Sequence, residues 1–254
     1  HHPTVTGAEA DAAHDDEGAA ASTVGETLTP TPPGARQPFT RDELELVDDF
    51  VPADLDMVAR AHSTDYVAFL STLCDVCTLR YKQTSHRLRA DDAFTPRSGE
   101  AAIEAAGAGP IPFTPRVQSG VMHVPQQKLK AGAFSDTMFS KGSLGAALRA
   151  CGAVCAAVDR VVSGRNRTAF CVVRPPGHHA GVAGLLSQAQ SCGFCLLNSV
   201  AVAATHALAT HAERGVRRVA IVDIDVHHGN GTEEIVKALG RPDQIFFASV
   251  HLYD

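Results

Sequence analysis

No apolar run in this 254-residue chain reaches the roughly 18 residues that a membrane span requires. Positive charge is not in excess either: 22 Lys and Arg stand against 28 Asp and Glu, for a formal net charge of −6. A protein that grips nucleic acid by its overall field needs clustered Lys and Arg against the phosphates. Direct nucleic-acid binding is therefore not expected, nor is a membrane. The opening residues are polar and acidic rather than basic and then apolar, so no secretory signal is read in them. No repeat of fixed period runs through the chain. The short stretch ERGVRR at 213–218 leads into a strand and is too small for a nuclear-import cluster. The expected compartment is the nucleus, the cytoplasm or both.

What the chain does have is 44% hydrophobic residues, enough to bury a sizeable core. It has seven cysteines, an odd number that suits free thiols in a reducing compartment. Two C-x-x-C pairs occur, Cys74/Cys77 and Cys192/Cys195. A zinc ribbon sets such pairs about 15–20 residues apart. More than 100 residues separate these two, so they are read as buried thiols.

Residues 1–38 are rich in Ala, Gly, Thr, Pro and acidic residues and lack aromatics. Such a segment cannot bury enough apolar surface to offset chain entropy, and disorder is expected. His1, His2 and His14 there are read as solvated. Residues 39–254 form the folded part. From about residue 41 to 82 the pattern is helical, with Asp54 as an N-cap candidate, and 91–117 is loop-like. After that, 142–162 reads as a helix, 168–174 as a buried strand and 196–214 as a helix. Then 217–225 reads as a strand, 231–239 as a helix with Thr232 as N-cap candidate, and 244–252 as a strand. Alternating helices and short apolar strands predict an α/β fold with a mainly parallel sheet, covered by helices in three layers.

In open α/β sheets, sites form beyond the carboxyl ends of strands. Two strand ends here carry unusual chemistry. One is Asp223-Ile224-Asp225-Val226-His227-His228-Gly229-Asn230-Gly231. Alternate residues of extended chain point one way, so Asp223, Asp225 and His227 share a side. Asp225 and His227, nearest the end, suit a divalent metal such as Zn²⁺. Asp223, one pleat deeper, suits an orienting role. A plain helix-capping Asp would explain one carboxylate, not the whole run. The other strand end is Arg174-Pro175-Pro176-Gly177-His178-His179-Ala180. Two adjacent imidazoles beside a metal suit general acid–base chemistry. His62, His86, His123, His206 and His211 lack such settings; His206 and His211, five apart on a helix and so not on one face, are read as surface or core residues. His228 points away from His227 and is read as structural.

Four motifs in order, RPPGHHA, CGFCLLNSVAVAA, VDIDVHHGNGT and SVHLYD, resemble the histone deacetylase family on its class II side. The resemblance covers about residues 54–254 and implies an arginase/deacetylase-like fold. It implies zinc-dependent hydrolysis of N-acetyl-lysine on histones or other proteins, with corepressor-type proteins as further partners. It matches Asp225 and His227 to zinc ligands. His178 and His179 match the tandem histidines flanking the attacking water, His179 being the main base and acid. Asp223 matches the partner of His178, and Asn230 stands where class I members carry Asp. Gly193 and Phe194 match the wall of the acetyl-lysine tunnel, and Asp136 a rim residue that holds substrate backbone. Asp223 and Ser249, with the backbone at Asp225 and His227, match a potassium-type monovalent-cation site.

The resemblance also calls for a third zinc-ligating Asp and a Tyr or His beyond residue 254. The expectation is therefore a deacetylase domain incomplete at its C-terminal end and nearly inactive alone. Residues 181–191 are longer than this connection is in many relatives, and shape either the pocket rim or an ordinary loop. Two other functions stay open: an acetylpolyamine or other small-molecule amidohydrolase of the same superfamily, and a catalytically inactive scaffold.

Overall fold

The computed structural model of the protein describes residues 44–89, 108–119, 135–187 and 189–252. The acidic segment 1–38 and His123 lie outside the described residues, as do Tyr253 and Asp254. No described helix is long and apolar enough to cross a membrane.

Asp54 caps the first helix as its side chain predicts, Oδ1 accepting the Met57 N–H at 2.7 Å. That helix, α1, is only Leu55–Ala59, and a second, α2, follows at Thr64–Arg89. The apolar periodicity runs on through Arg60–Ser63, but the backbone does not. The Ser63 N–H leaves the helix and donates to the Val182 carbonyl at 2.9 Å. The helical pattern is thus interrupted by a tertiary hydrogen bond, which residue spacing does not report.

Two short strands, β1 (Ile111–Pro112) and β2 (Met138–Phe139), pair antiparallel. Helix α3 (Ser143–Val162) and helix α4 (Ser199–Thr210) then pack against each other more closely than any other described helix pair. The inward stripe of α3 is Ala147, Ala150, Cys151 and Cys155, the three- and four-residue spacing of one helix face. Gly152 lies on it because residues 51–53 cross there; a Cβ would sit 2.3 Å from the Val51 carbonyl oxygen. Helix α4 is rich in alanine and buried almost all round, so its neighbours approach closely.

Strand β3 (Val219–Asp223), helix α5 (Asn230–Leu239) and strand β4 (Ile245–Ser249) make one βαβ unit. The strands are parallel, in register from Val219 beside Ile245 to Asp223 beside Ser249. Ile221 and Ile245 bury their side chains with Ala204 of α4, forming the smaller of two core clusters. The larger gathers α1 to α4 around Tyr66, Leu70, Phe113 and Phe139.

Three expectations need correction. The run 168–174 forms no strand among the described residues, and Phe170 and Val172 are 92% and 87% exposed. An apolar run gives a strand its side chains; the ladder partner has to come from elsewhere. Thr232 does not cap α5. Gly229 holds the cap position, and the Thr232 hydroxyl is drawn inward to Asn198. The 196–214 helix begins at Ser199 behind an Asn198 cap, and its last residues are a separate 3₁₀ turn, Ala212–Arg214. The described residues hold a parallel pair and helices, and the full three-layer arrangement is not visible among them.

Candidate active site

Both loaded segments meet beyond the carboxyl end of β3. The His178–His179 pair is seated on the first turn of α4. A Cβ on Gly177 would lie 2.6 Å from the Leu197 carbonyl oxygen and 2.8 Å from the Ser199 nitrogen. Only a hydrogen fits there, so the chain passes the helix at backbone contact. Asn198 then ties three segments together. Its Oδ1 caps α4 at the Ala201 N–H, 3.1 Å away. Its Nδ2 donates to the Ala180 carbonyl at 3.2 Å and to Thr232 Oγ1 at 3.0 Å. From the other side, the Thr232 N–H donates to the His178 carbonyl at 3.0 Å.

The two imidazoles lie 4.0 Å apart between ring centroids, tilted by 39°. Each is anchored through Nδ1. His178 Nδ1 is 2.9 Å from Asp223 Oδ2, and His179 Nδ1 is 2.8 Å from Asn230 Oδ1. Since both partners are acceptors, both Nδ1 atoms carry the proton, which leaves the Nε2 atoms for chemistry. The other Asp223 oxygen accepts the Asp225 N–H at 3.0 Å. One carboxylate thus orients a histidine and shapes the loop after β3.

Asp225 and His227 come together as well. Asp225 Oδ2 accepts the His227 N–H at 2.7 Å and lies 2.9 Å from His227 Nδ1. It is 3.9 Å from His178 Nε2. A carboxylate oxygen and an imidazole nitrogen this close, on side chains 46% and 72% exposed, are a donor pair that fits one small divalent ion. Among the described residues, no third His, Cys, Asp or Glu completes a group with them.

Electrostatics separates the roles. Burial pushes His179 below the ordinary imidazole range, and His178 and His227 add to this. The Asn230 hydrogen bond and the Asp225 charge oppose it without prevailing. The backbone N–H of His227 holds Asp225 below the usual carboxylate range, against a smaller opposing effect of burial. Near neutral pH the site therefore presents a neutral His179 beside an ionised Asp225.

Gly193 and Phe194 pass against the same ring. Gly193 has φ +52°, and a Cβ there would be 2.5 Å from His179 Cδ2. Phe194 also has positive φ, +66°, a strained setting for an aromatic residue. Its N–H donates to Thr137 Oγ1 at 2.8 Å, and that hydroxyl donates to Asp136 Oδ1 at 2.8 Å. Ser191 donates to the same Asp136 oxygen. Asp136 therefore braces the Gly193–Phe194 turn. It also lines a cavity of about 300 Å³ with Thr137, Met138, Pro175, Phe194 and Leu196.

Ser249 sits beside Asp223 in register, but its hydroxyl pairs with His251 Nδ1 at 2.8 Å. His228 turns away, its Nε2 3.4 Å from Glu233 Oε2 and its ring stacked on His251. In the 181–191 segment, Gly181 and Gly184 bridge each other. The Val182 N–H donates to Glu234 Oε2 at 2.8 Å and the Leu185 N–H to Gln118 Oε1 at 3.0 Å. Leu185 is buried, so this part is an inward-packed turn. The cysteine pairs are all free thiols and join no metal group among the described residues.

Sequence reasoning missed His62. Its ring is buried, with Nδ1 2.8 Å from the Gly181 carbonyl and Nε2 accepting the Asn198 N–H at 2.9 Å. No local pattern announces it. Asn198 could have been found, as a capping residue ahead of SVAVAA.

Comparison with known proteins gives a family model, "Histone deacetylase domain", matching residues 37–254. Type-2 histone deacetylase 2 of Dictyostelium discoideum is 52% identical over 119 residues, 47% of this chain and 7% of that protein. Histone deacetylase 5 of Arabidopsis thaliana is 39% identical over 124 residues, 49% of this chain and 17% of that one. Acetylpolyamine amidohydrolase of Mycoplana ramosa is 32% identical over 198 residues, 78% of this chain and 48% of that one. The matched stretches thus span less than half of each of these relatives.

Proposed function

The chain belongs to the histone deacetylase family, and from that premise we propose that it is a hydrolase removing acetyl groups from lysine side chains of histones or other proteins with zinc as cofactor. The observation that carries this reading is the paired Nδ1 anchoring of His178 and His179, beside the Asp225–His227 donor pair.

Asp225 and His227 would hold the Zn²⁺, which when bound polarises the amide carbonyl and makes water a better acid. The remaining work falls to the protein's own side chains. His179, kept neutral by burial, takes the proton of the attacking water at Nε2. The same nitrogen then returns a proton to the departing lysine amine. Asn230 holds the His179 ring in the productive tautomer without adding a negative charge. His178, its Nδ1 held by the Asp223 carboxylate, keeps its ring fixed beside His179 and turns Nε2 towards the attacking water. Phe194, half exposed on a turn braced by Thr137 and Asp136, walls the path of an aliphatic lysine stem. A monovalent cation near Asp223 and Ser249 rests on the resemblance, supported only by the register of β3 and β4.

A second reading, deacetylation of an acetylpolyamine, is favoured by the Mycoplana ramosa relative, which matches the longest stretch of this chain among the three. The deciding assay follows acetate release from an acetyl-lysine peptide and from N-acetylputrescine by the zinc-loaded protein, with and without chelator. The expected result is slow, chelator-sensitive turnover of the peptide, lost in His179→Ala. Preference for the acetylpolyamine selects the second reading. No turnover of either substrate with zinc bound overturns both and leaves a non-catalytic scaffold.

A further inference from the structure

A second cluster of metal-ligating side chains lies at the far end of α4. Asp159 is one turn from the end of α3, His206 one turn from the end of α4, and His211 follows α4 as its C-cap. On a regular helix, residues five apart point about 140° away from each other, so the sequence gives no reason to pair these histidines. The structure corrects that reading. The helix stops at Thr210, and His211, with φ −113° and ψ 20°, leaves the spiral and swings its ring back. The rings stand edge-on at 90°, with centroids 5.9 Å apart. Both Nε2 atoms lie 2.7 Å from the same oxygen, Asp159 Oδ1.

We propose that Asp159, His206 and His211 form a second divalent-cation site, for Zn²⁺, distinct from Asp225 and His227. Two imidazole nitrogens and a carboxylate oxygen are a three-ligand zinc set, with water completing the shell. The three donor atoms lie within 4.8 Å of one another. A tetrahedral zinc with bonds of about 2.0–2.1 Å needs its ligand atoms about 3.4 Å apart. The cluster must open by several tenths of an ångström. Asp159, its side chain 49% exposed, can supply that by rotation, and the same exposure is the way in for the ion.

The surroundings agree. His206 Nδ1 lies 3.3 Å from Thr210 Oγ1. When Nε2 is on the metal, Nδ1–H donates to that hydroxyl, the outer contact a ligating imidazole requires. When no metal is bound, the hydroxyl turns and donates to Nδ1 while Nε2–H donates to Asp159. The rotor serves both states. Asp159 is held below its ordinary pKa by the two histidine hydrogen bonds, against the opposing and larger single effect of burial, so it is ionised at neutral pH. The bound ion would clamp α3 to the last turn of α4, where His206 lies about 12 Å along the helix from the Asn198 end that seats His178 and His179.

The test uses an Asp225→Asn/His227→Ala background, so that the other candidate site does not bind. Zn²⁺ alone is titrated against a chelating dye, with thermal unfolding and histidine NMR on the same samples. Expected are one zinc per chain, a higher Tm, and zinc-induced shifts of the His206 and His211 imidazole signals. Adding Asp159→Asn, which can still accept hydrogen bonds, should weaken binding by more than the about 10–100-fold that loss of an outer-shell partner costs. Should that variant misfold by circular dichroism, the NMR shifts decide without it. Absence of zinc binding in the background protein, or binding without change at His206 and His211, overturns the proposal.

Discussion

His62 grips the turn after the catalytic histidine candidates and the cap of α4 with the two nitrogens of one ring. Nε2 accepts the Asn198 N–H at 2.9 Å, so Nδ1 is the nitrogen that donates to the Gly181 carbonyl, 2.8 Å away. Only the neutral tautomer can do both. Burial pushes this imidazole down to about 4, against raising contributions from the Gly181 and Val182 carbonyls.

The fold therefore binds neutral His62 and disfavours its protonation. The folded pKa lies below the unfolded value of 6.5, so the contribution to stability is full above pH 6.5. It drains away as pH falls from there towards 4. The span corresponds to about 3 kcal/mol. Urea unfolding at pH 7, 5.5 and 4.5 should show the wild type losing stability over this window more steeply than His62→Gln. The variant should already be weaker at pH 7. Parallel acid limbs in the two proteins would show that His62 is not the group responsible.

Asn230→Asp places a carboxylate where a neutral amide now meets His179 Nδ1 at 2.8 Å. An added negative charge favours imidazolium, so the His179 titration midpoint should move upward. NMR reads this directly. If His179 is the base, the acid limb of the kcat/KM profile moves upward with it, because less neutral imidazole is present at a given pH.

Gly231→Ala tests how tightly helix α5 abuts the histidine pair. A Cβ at 231 would lie 2.4 Å from the His179 carbonyl carbon and 2.5 Å from that of Ala180. These are backbone atoms and cannot rotate aside. A loss of about 1–3 kcal/mol is expected from overpacking, with a displaced His179 signal. An unchanged Tm would contradict the contact.

The thiols give a chemical test of the core. Burial raises Cys151, Cys155 and Cys192 to about 12 and Cys195 to about 11. At pH 8 these four should resist iodoacetamide in the native state and react once the chain is unfolded in urea, since thiolate is the reactive form. Mass spectrometry after digestion locates the labels. Rapid native labelling of Cys192 or Cys195 would mean that the C-G-F-C turn opens.

The parts legible in the sequence were those whose chemistry is local. Asp54 announces its helix, and the Asp223, Asp225, His227 run names the candidate donors, although β3 ends at Asp223 and a bend, not strand alternation, brings Asp225 to His227. The less legible parts depend on distant partners. His62 finds its two contacts 119 and 136 residues away. Thr232 looks like a cap until Asn198 claims its hydroxyl. The 168–173 run has the composition of a strand without a described ladder. His206 and His211 meet only because α4 ends between them.

Gly231 has one more consequence, for how such a protein can change over time. With α5 resting on the carbonyl carbons of residues 179 and 180, a bulkier side chain at 231 is accommodated only if the histidine pair withdraws. Withdrawal would separate His179 from Asn230, which α5 also carries. Innovation at this site is therefore steered towards the surrounding turns, while the glycine and the histidines are inherited as a block.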